Sequence, residues 1–379
     1  MRLQEHEGLE RFAQFGIPVP ERGLAVTAEE AVEVANRIGY PVMVKAQVLV
    51  GGRGLAGGIR EASSAQELKE IASQMLGSSL KGLEVKEVLI TERVEIVQEM
   101  YMGITIDGHE GRPVVLVSGQ GGVHIEEVAK KSPEQVASHR VDPFFGFHSY
   151  HARNLLKKIG LSGPILGKAT SALYSLYKVF CEYEALICEI NPIAITKAGG
   201  LMALDSVLEV DNSALRRIPH NLPDPKERMD NPLEKLGKEI GVTYLDLDGD
   251  IGIISSGAGL GMASMDIIGE RLRPANFLET GGGITEELLY KCMDLVTRKP
   301  GLRAILINVY GGINPIHEGA KGVVRFMKER GLKIPVVAKA LGNRQEETWE
   351  ILRSGGVHVV TETPTEKAVE RLYQVLGIH

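Results

Sequence analysis

The chain contains no run of about 18 apolar residues, and a helix that crosses a bilayer core needs at least that length. Its opening residues, Met1-Arg2-Leu3-Gln4-Glu5-His6-Glu7, carry no apolar signal-peptide core. Only three cysteines occur, Cys181, Cys188 and Cys292. They form neither an even set nor a zinc spacing, which predicts reduced, buried thiols in a cytoplasmic protein. Basic blocks are missing too: 43 lysines and arginines face 49 acids, for a net charge of −6. That balance argues against a nucleic-acid surface or a membrane-binding face. Glycine is the excess, 44 of 379 residues against a usual share of about 7%, and much of it falls in loops that end strands. The length suits two or three domains with cores of their own.

Residues 185–208 hold three oxygen donors, Glu189, Asn191 and Asp205, in what reads as one β-hairpin. Apolar and polar residues alternate on both sides of Lys197-Ala198-Gly199, the pattern of two half-buried strands. A three-residue loop needs a left-handed third residue, and Gly199 supplies it without a Cβ penalty. That loop sets Thr196 opposite Gly200 and Asn191 opposite Asp205, with Glu189 on the same face. Such an oxygen set suits a hard cation such as Mg²⁺, which takes its remaining ligands from water and phosphate. A four-residue loop would turn Asp205 to the other face, and the plain alternative is a row of solvated polar positions. Pro192 inside the run predicts an edge or a bulge.

A second feature follows the short apolar strand Tyr40-Pro41-Val42-Met43-Val44-Lys45-Ala46. Gly51-Gly52-Arg53-Gly54-Leu55-Ala56-Gly57-Gly58 places five glycines and an arginine within eight residues. Uncovered N–H groups with Lys45 and Arg53 as counter-charges can hold phosphate. The lysine precedes the glycines, so this is not a GxxxxGK[ST] loop. A flexible turn between strands is the alternative reading.

Helices are predicted at Ala28 to Ile38, with Thr27 and Glu30 as a capping box, and at Ala65 to Leu76, Pro133 to His139 and Pro164 to Tyr183. The polar stretch from Asn212 to Asn231, with Pro219, Pro223 and Pro225, reads as an interdomain connection, which sets the domains at 1–230 and 240–379. Beyond Gly249, strands at Ile251 to Ser255, Asn276 to Leu278, Ala304 to Val309, Val336 to Ala340 and Val357 to Val360 alternate with helices. Those helices are expected at Met262 to Leu272, Glu286 to Val296, Glu318 to Arg330, Gln345 to Leu352 and Thr365 to Leu376. Five such units make an α/β, doubly wound parallel sheet. Its first three strands end in Gly257-Ala258-Gly259-Leu260-Gly261, Gly281-Gly282-Gly283 and Gly311-Gly312, which predicts an anion pocket at the strand ends. A rival reading takes Gly257-Ala258-Gly259 and Glu279 as a dinucleotide fingerprint of an NAD-dependent oxidoreductase. Met262 stands where its third glycine belongs.

These motifs together resemble the β subunit of succinyl-CoA synthetase. The match runs from Leu3-Gln4-Glu5-His6-Glu7 and Gly16-Ile17-Pro18-Val19-Pro20 through Val44-Lys45-Ala46-Gln47 and the glycine loop. It continues in Gly121-Gly122-Val123-His124-Ile125-Glu126, Glu189-Ile190-Asn191-Pro192, Gly257-Ala258-Gly259-Leu260, Pro274-Ala275-Asn276-Phe277-Leu278, Gly281-Gly282-Gly283 and Gly311-Gly312-Ile313. The resemblance implies an N-terminal ATP-grasp domain, then a flavodoxin-like CoA-ligase domain. It implies a partner α subunit, in an αβ or α₂β₂ assembly, that carries CoA and a phosphohistidine. The implied reaction joins a carboxylic acid to CoA at the expense of ATP or GTP.

By position, the resemblance implies that Lys45, Gly52, Arg53 and Gly54 hold nucleotide phosphates and that Glu99 holds the ribose. Thr91 stands where relatives often have Glu, with Glu92 next to it, in the base hinge. Asn191 and Asp205 would bind Mg²⁺, and Glu189 would face the phosphohistidine. Gly311, Gly312 and Ile313 would stabilise the transferring phosphoryl group at a shared helix N-terminus. Two departures fall at the acid end: Ser256 where many relatives have Asn, and Asn314-Pro315-Ile316-His317-Glu318 in place of an arginine-bearing run. They leave succinate, malate, citrate or another acid open. His317 is read as a surface or helix-capping residue, because the family carries its phospho-acceptor on the other chain. A regulatory subunit without chemistry is a further alternative, opposed by the joint presence of Lys45, Glu189, Asn191 and Asp205.

Overall fold

Separate sets of sheets organise Met1–Pro225 and Lys226–His379, the two units into which the chain divides. The computed structural model describes residues 1–122, 125, 128, 130, 132–218, 221–229, 231–313 and 315–378. Val123, His124, Glu126, Pro219 and Asn314 of the motifs above lie outside these residues.

The first unit opens with helix α1 (Glu5–Gln14). Strands β1 (Arg22–Ala25), β2 (Val42–Ala46), β3 (Ile59–Ala62) and, beyond the small hairpin β4 (Ser79–Leu80) and β5 (Leu83–Glu84), β6 (Val88–Glu92) follow. Four of them form an antiparallel sheet in the order β1-β6-β2-β3. Helices α2 (Ala28–Ile38) and α3 (Ala65–Met75) cover it, packing Ala31, Val34, Leu68 and Ala72 on Val42, Val44 and Ile90. At the start of α2 the Thr27 hydroxyl accepts from Glu30 N at 3.1 Å. The Glu30 carboxylate reaches back to Val26 N at 2.8 Å, one residue before the expected cap.

A second sheet is built from β7 (Ile96–Asp107), β8 (Arg112–Ser118), β9 (Val136–Arg140), β10 (Ala185–Thr196), β11 (Leu201–Ala203) and β12 (Val207–Val210), ordered β11-β10-β7-β8-β9 with β12 also on β10. Helices α4 (Ser149–Lys158) and α5 (Gly163–Glu182) contribute Leu155, Leu156, Leu173 and Leu176 to its core, which Leu9 and Phe12 of α1 join. The helix expected at Pro133 to His139 is not formed. A single 3₁₀ turn, Pro133–Gln135, leads into β9, where Val136 to His139 pair with Ser118 to Val115 of β8. Long-range pairing with β8 outweighs a weak local helical preference.

The second unit contains α6 (Pro232–Ile240), β13 (Thr243–Asp246), β14 (Ile251–Ser255), α7 (Ala258–Gly269), β15 (Asn276–Glu279), α8 (Glu286–Thr297), β16 (Ala304–Gly311), α9 (Ile316–Arg330), β17 (Val336–Gly342), α10 (Gln345–Ser354), β18 (His358–Val360) and α11 (Thr365–Val375). The five anticipated strands run parallel in the order β15-β14-β16-β17-β18, a flavodoxin-like winding. β13 adds an antiparallel edge beside β15. Alternate residues feed two cores: Ile305, Ile307 and Val309 meet Leu289 and Phe326, while Ala304 and Leu306 meet Ile268 and Leu372. Burial on both faces explains why these strands read as continuous apolar runs. α7 starts four residues before the expected Met262, where the small residues Ala258, Gly259 and Gly261 continue the helical turn, and α9 two before Glu318, directly after its cap Pro315.

Cys188 and Cys292 are buried, but Cys181 is exposed and all three are free thiols. Cys181 falls on the outer side of the last turn of α5, whose buried stripe holds Leu176, Val179 and Phe180. Among the described residues no helix is long and apolar enough to cross a membrane.

Candidate active site

The turn after β10 is the three-residue loop read from the sequence. Thr196 N donates to Gly200 O at 3.1 Å and Gly199 N to Thr196 O at 2.8 Å, with Gly199 at φ +73°. Ile193, Ala194 and Ile195 face Ala203, Met202 and Leu201, and the same register resumes where Glu189 faces Val207. Between these pairings the ladder is broken at Asp205, opposite Asn191. β10 lies inside the sheet, so Pro192 marks a bulge against β7 between Ile190 and Ile193 and not an edge.

Each donor of the hairpin has a partner. Asn191 Oδ1 accepts from Gly122 N at 2.8 Å. Tyr101, buried on β7, donates its hydroxyl to Glu189 at 3.3 Å. Burial, reinforced by the charge of Asp205, pushes the Glu189 carboxyl above its usual pKa against the Tyr101 bond. Asp205 Oδ1 accepts from Ser206 N at 2.7 Å and from Arg53 at 2.8 Å. Among the described residues no group of three or more His, Cys, Asp or Glu side chains is arranged to hold a metal. The donors here are two carboxylates and an amide, a set that fits a hard cation whose other ligands are phosphate and water.

The glycine loop is the connection between β2 and β3. It is drawn closed by Ala46 N to Gly58 O and Gly58 N to Arg53 O, both 2.8 Å. Arg53 points inward: its side chain is 8% exposed and touches Glu5 at 2.7 Å and Asp205 at 2.8 Å. Lys45 Nζ lies 2.9 Å from the other Glu5 oxygen, and Gln47 donates to Glu5 at 3.3 Å. Burial alone would raise the Glu5 pKa, but Lys45 and Arg53 outweigh it and hold it below the usual range. Burial likewise works to lower the Arg53 pKa, and Glu5 with Asp205 reverses the direction. Gly52 is half-buried and Gly54 exposed.

Glu5 went unnoticed in the sequence as a site residue, although a signal for it exists. It shares the buried stripe of α1 with Gly8, Leu9 and Phe12, and an acid on the apolar face of a helix calls for a buried cation. Gly8 fixes the docking, since a Cβ there would fall 2.4 Å from Ser206 Oγ. That hydroxyl donates to Glu5 O at 2.8 Å.

The remaining nucleotide candidates sit on neighbouring strands. Thr91 is buried at the end of β6 and its hydroxyl donates to Glu92 O at 3.3 Å. The Glu92 carboxylate accepts from Glu21 N at 3.0 Å. Glu99 on β7 pairs with Ala194 of β10, and its carboxylate lies against Gly122, where a Cβ would be 2.5 Å away.

In the second unit, Ser256 directly follows β14 and Gly311 ends the adjacent strand β16, where the order of winding reverses. The Ser256 hydroxyl accepts from Tyr310 N at 2.8 Å and donates to Tyr310 O at 3.2 Å. Gly312 is exposed and Ile313 is 94% exposed, just ahead of the N-terminus of α9. His317 is neither at the surface nor a cap: it is 5% exposed behind the cap residue Pro315. Its Nε2 is 2.9 Å from Arg344 and 3.1 Å from Glu318. Glu279, the acid of the dinucleotide reading, accepts from Gly281 N at 2.6 Å in its own loop.

Comparison with known proteins divides the chain in the same order. Residues 2–195 match the ATP-grasp domain family and residues 254–372 the CoA-ligase family. The chain is 41% identical to the β subunit of an ADP-forming succinate–CoA ligase from Desulfurococcus amylolyticus, covering 99% of each. It is 40% identical to the β subunit of a GDP-forming succinate–CoA ligase from Thermus thermophilus, over 97% of this chain and 98% of that one. Its fold matches an ATP citrate lyase from Methanothrix soehngenii, solved with citrate and coenzyme A, with a TM-score of 0.74 at 21% identity over 99% of each chain.

Proposed function

The chain belongs to the succinate–CoA ligase β-subunit family, the NDP-forming acid–CoA ligases, and from that premise we propose how its residues divide the work. Lys45 and the Gly52-Arg53-Gly54 loop hold the phosphates of ATP or GTP, Glu99 takes the ribose, and Thr91 with Glu92 flanks the base. Asn191 and Asp205 hold Mg²⁺, which when bound with nucleotide supplies charge neutralisation on the phosphate oxygens. Glu189 orients the histidine of a partner α subunit that accepts the phosphoryl group. Its raised pKa suits a carboxylate that awaits a cationic imidazole partner. Ser256, Gly311, Gly312 and Ile313 serve the acid and acyl-phosphate side, where main-chain N–H groups at a helix start stabilise phosphoryl charge. The acid proposed is succinate, and the compartment is the cytoplasm, where nucleotide and CoA are at hand.

The observation that carries this reading is the junction in the first unit, where a cation-bearing glycine loop meets the oxygen donors of the β10 hairpin through Arg53 and Asp205. The test is acyl-CoA formation with ATP or GTP, Mg²⁺, CoA and a panel of succinate, malate and citrate. With a co-expressed α subunit, succinate should turn over fastest. The chain alone should give none; steady production without a second subunit would overturn the division of labour.

A further inference from the structure

Lys45 and Arg53 bring two positive charges to the cluster, and Glu5 and Asp205 bring two negative ones. The four charges balance among themselves. Their exposure is unequal: the side chains of Lys45, Arg53 and Glu5 are 8%, 8% and 1% exposed, that of Asp205 27%. Both oxygens of Glu5 are taken, one by Lys45 and the other by Arg53 and Gln47. Arg53 is divided by nitrogen. Its Nη1 lies 2.7 Å from Glu5 and donates to Ala46 O at 3.1 Å, while Nη2 alone serves Asp205 at 2.8 Å. The group assigned to phosphate and the group assigned to the metal therefore occupy each other.

We propose that nucleotide loading is an exchange of partners, in which the Nη2 edge of Arg53 turns from Asp205 to the phosphates and Asp205 turns to the metal. Glu5 anchors Lys45 and the Nη1 edge of Arg53 throughout, as a positioning residue. The inference rests on the assignments proposed above. A divalent cation arriving alone would add charge to a balanced cluster and would have to displace a guanidinium from its carboxylate. Phosphate supplies the negative charge that releases Arg53, so metal and nucleotide strengthen each other's binding, and that coupling is reciprocal.

Calorimetry on the full chain, alone and with its α subunit, tests the exchange with Mg²⁺ alone, with ATP or GTP in chelator, and with both together. Arg53→Gln should move the two ligands in opposite directions. Nucleotide binding in chelator should weaken about tenfold and Mg²⁺ binding without nucleotide should strengthen about tenfold, within the roughly 5- to 150-fold range of coupled sites. Asp205→Asn frees the Nη2 edge, so nucleotide binding in chelator should tighten and added Mg²⁺ should bring little further gain. Parallel weakening of both ligands in Arg53→Gln, or weaker metal-free nucleotide binding in Asp205→Asn, would overturn the exchange while leaving the functional reading standing. If Arg53→Gln does not fold, Asp205→Asn decides alone, because it leaves the Glu5 pairs intact. A wild-type chain that binds neither nucleotide under any of these conditions overturns both readings.

Discussion

The two units build their candidate sites by opposite means. In Lys226–His379 the site is made of backbone: β14 and β16 run side by side, their ends carry Ser256 and Gly311, and α9 begins just beyond. In Met1–Pro225 it is made of side chains from three distant stretches, Glu5 on α1, Lys45 and Arg53 on β2 and the loop after it, and Asp205 beyond β11, joined by ion pairs. A backbone site follows from winding order and survives many substitutions. A side-chain site depends on each partner, because a buried charge is tolerated only while it is paired.

The sharpest way to break this contrast is Glu5→Ala. It leaves Lys45 and Arg53 buried beside a missing anion, which should cost the first unit about 3–5 kcal/mol, read as a lower denaturant midpoint. A loss under about 1 kcal/mol, the value of an exposed pair, would show that the cluster is solvated and does not differ in kind from the second site.

Next in size is Glu189→Gln, which keeps shape and loses charge. Removing a preorganised group of this kind commonly costs about 2.7–4 kcal/mol of barrier, so phosphoryl labelling of the α subunit from γ-labelled nucleotide should slow about a hundredfold. Nucleotide affinity should hold. Labelling at the wild-type rate, or a collapse of nucleotide affinity, would remove Glu189 from its proposed role.

Ser256→Ala should do much less. The hydroxyl's two bonds go to the Tyr310 backbone, and their loss should destabilise the second unit by about 0.5–1.5 kcal/mol with nucleotide binding untouched. A large rise in the Michaelis constant for the acid without a loss of stability would instead mark a direct contact with substrate.

The smallest effect expected is a pH dependence in the first unit. The rings of His139 and His151 stack at 4.4 Å, and His151 Nδ1 accepts from His148 N at 3.1 Å at the start of α4. Burial lowers the pKa of both; Lys158 adds to the shift of His139, and His139 with His148 adds to that of His151. A base with a lowered folded pKa binds protons more readily when unfolded. Its stabilising contribution is therefore complete above about pH 6.5, the unfolded value, and is lost as pH falls through the folded pKa. Thermal midpoints taken downward from pH 7.5 should drop for the wild type and drop less for His151→Asn. An identical profile in the variant would assign the dependence to other groups.

Legibility followed the same division. The second unit's five parallel strands and the five helices that follow them were readable to within a few residues, as apolar runs and amphipathic repeats. The helix α6 and the edge strand β13 ahead of them were missed; among the described residues β13 meets the sheet through its antiparallel pairing with β15 alone. In the first unit the loop at Lys197 to Gly199 and its register could be derived, because turn length dictates pairing. The segment at Pro133 to His139 could not, because only β8 makes a strand of it.

By itself, then, the sequence determined the elements whose cause is local: where glycine permits a turn, where apolar spacing demands a sheet or a helix, and which residues carry charge. Tertiary structure decided which charges meet. Arg53 looked like a free cation on a phosphate loop, yet it lies buried between Glu5 and Asp205, and His317 looked exposed, yet it is packed beside Arg344. The physical reason is range. A turn or a helix face is fixed by neighbours a few bonds away, whereas pairing in a buried cluster depends on which distant segments the folded core brings within about 3 Å of one another.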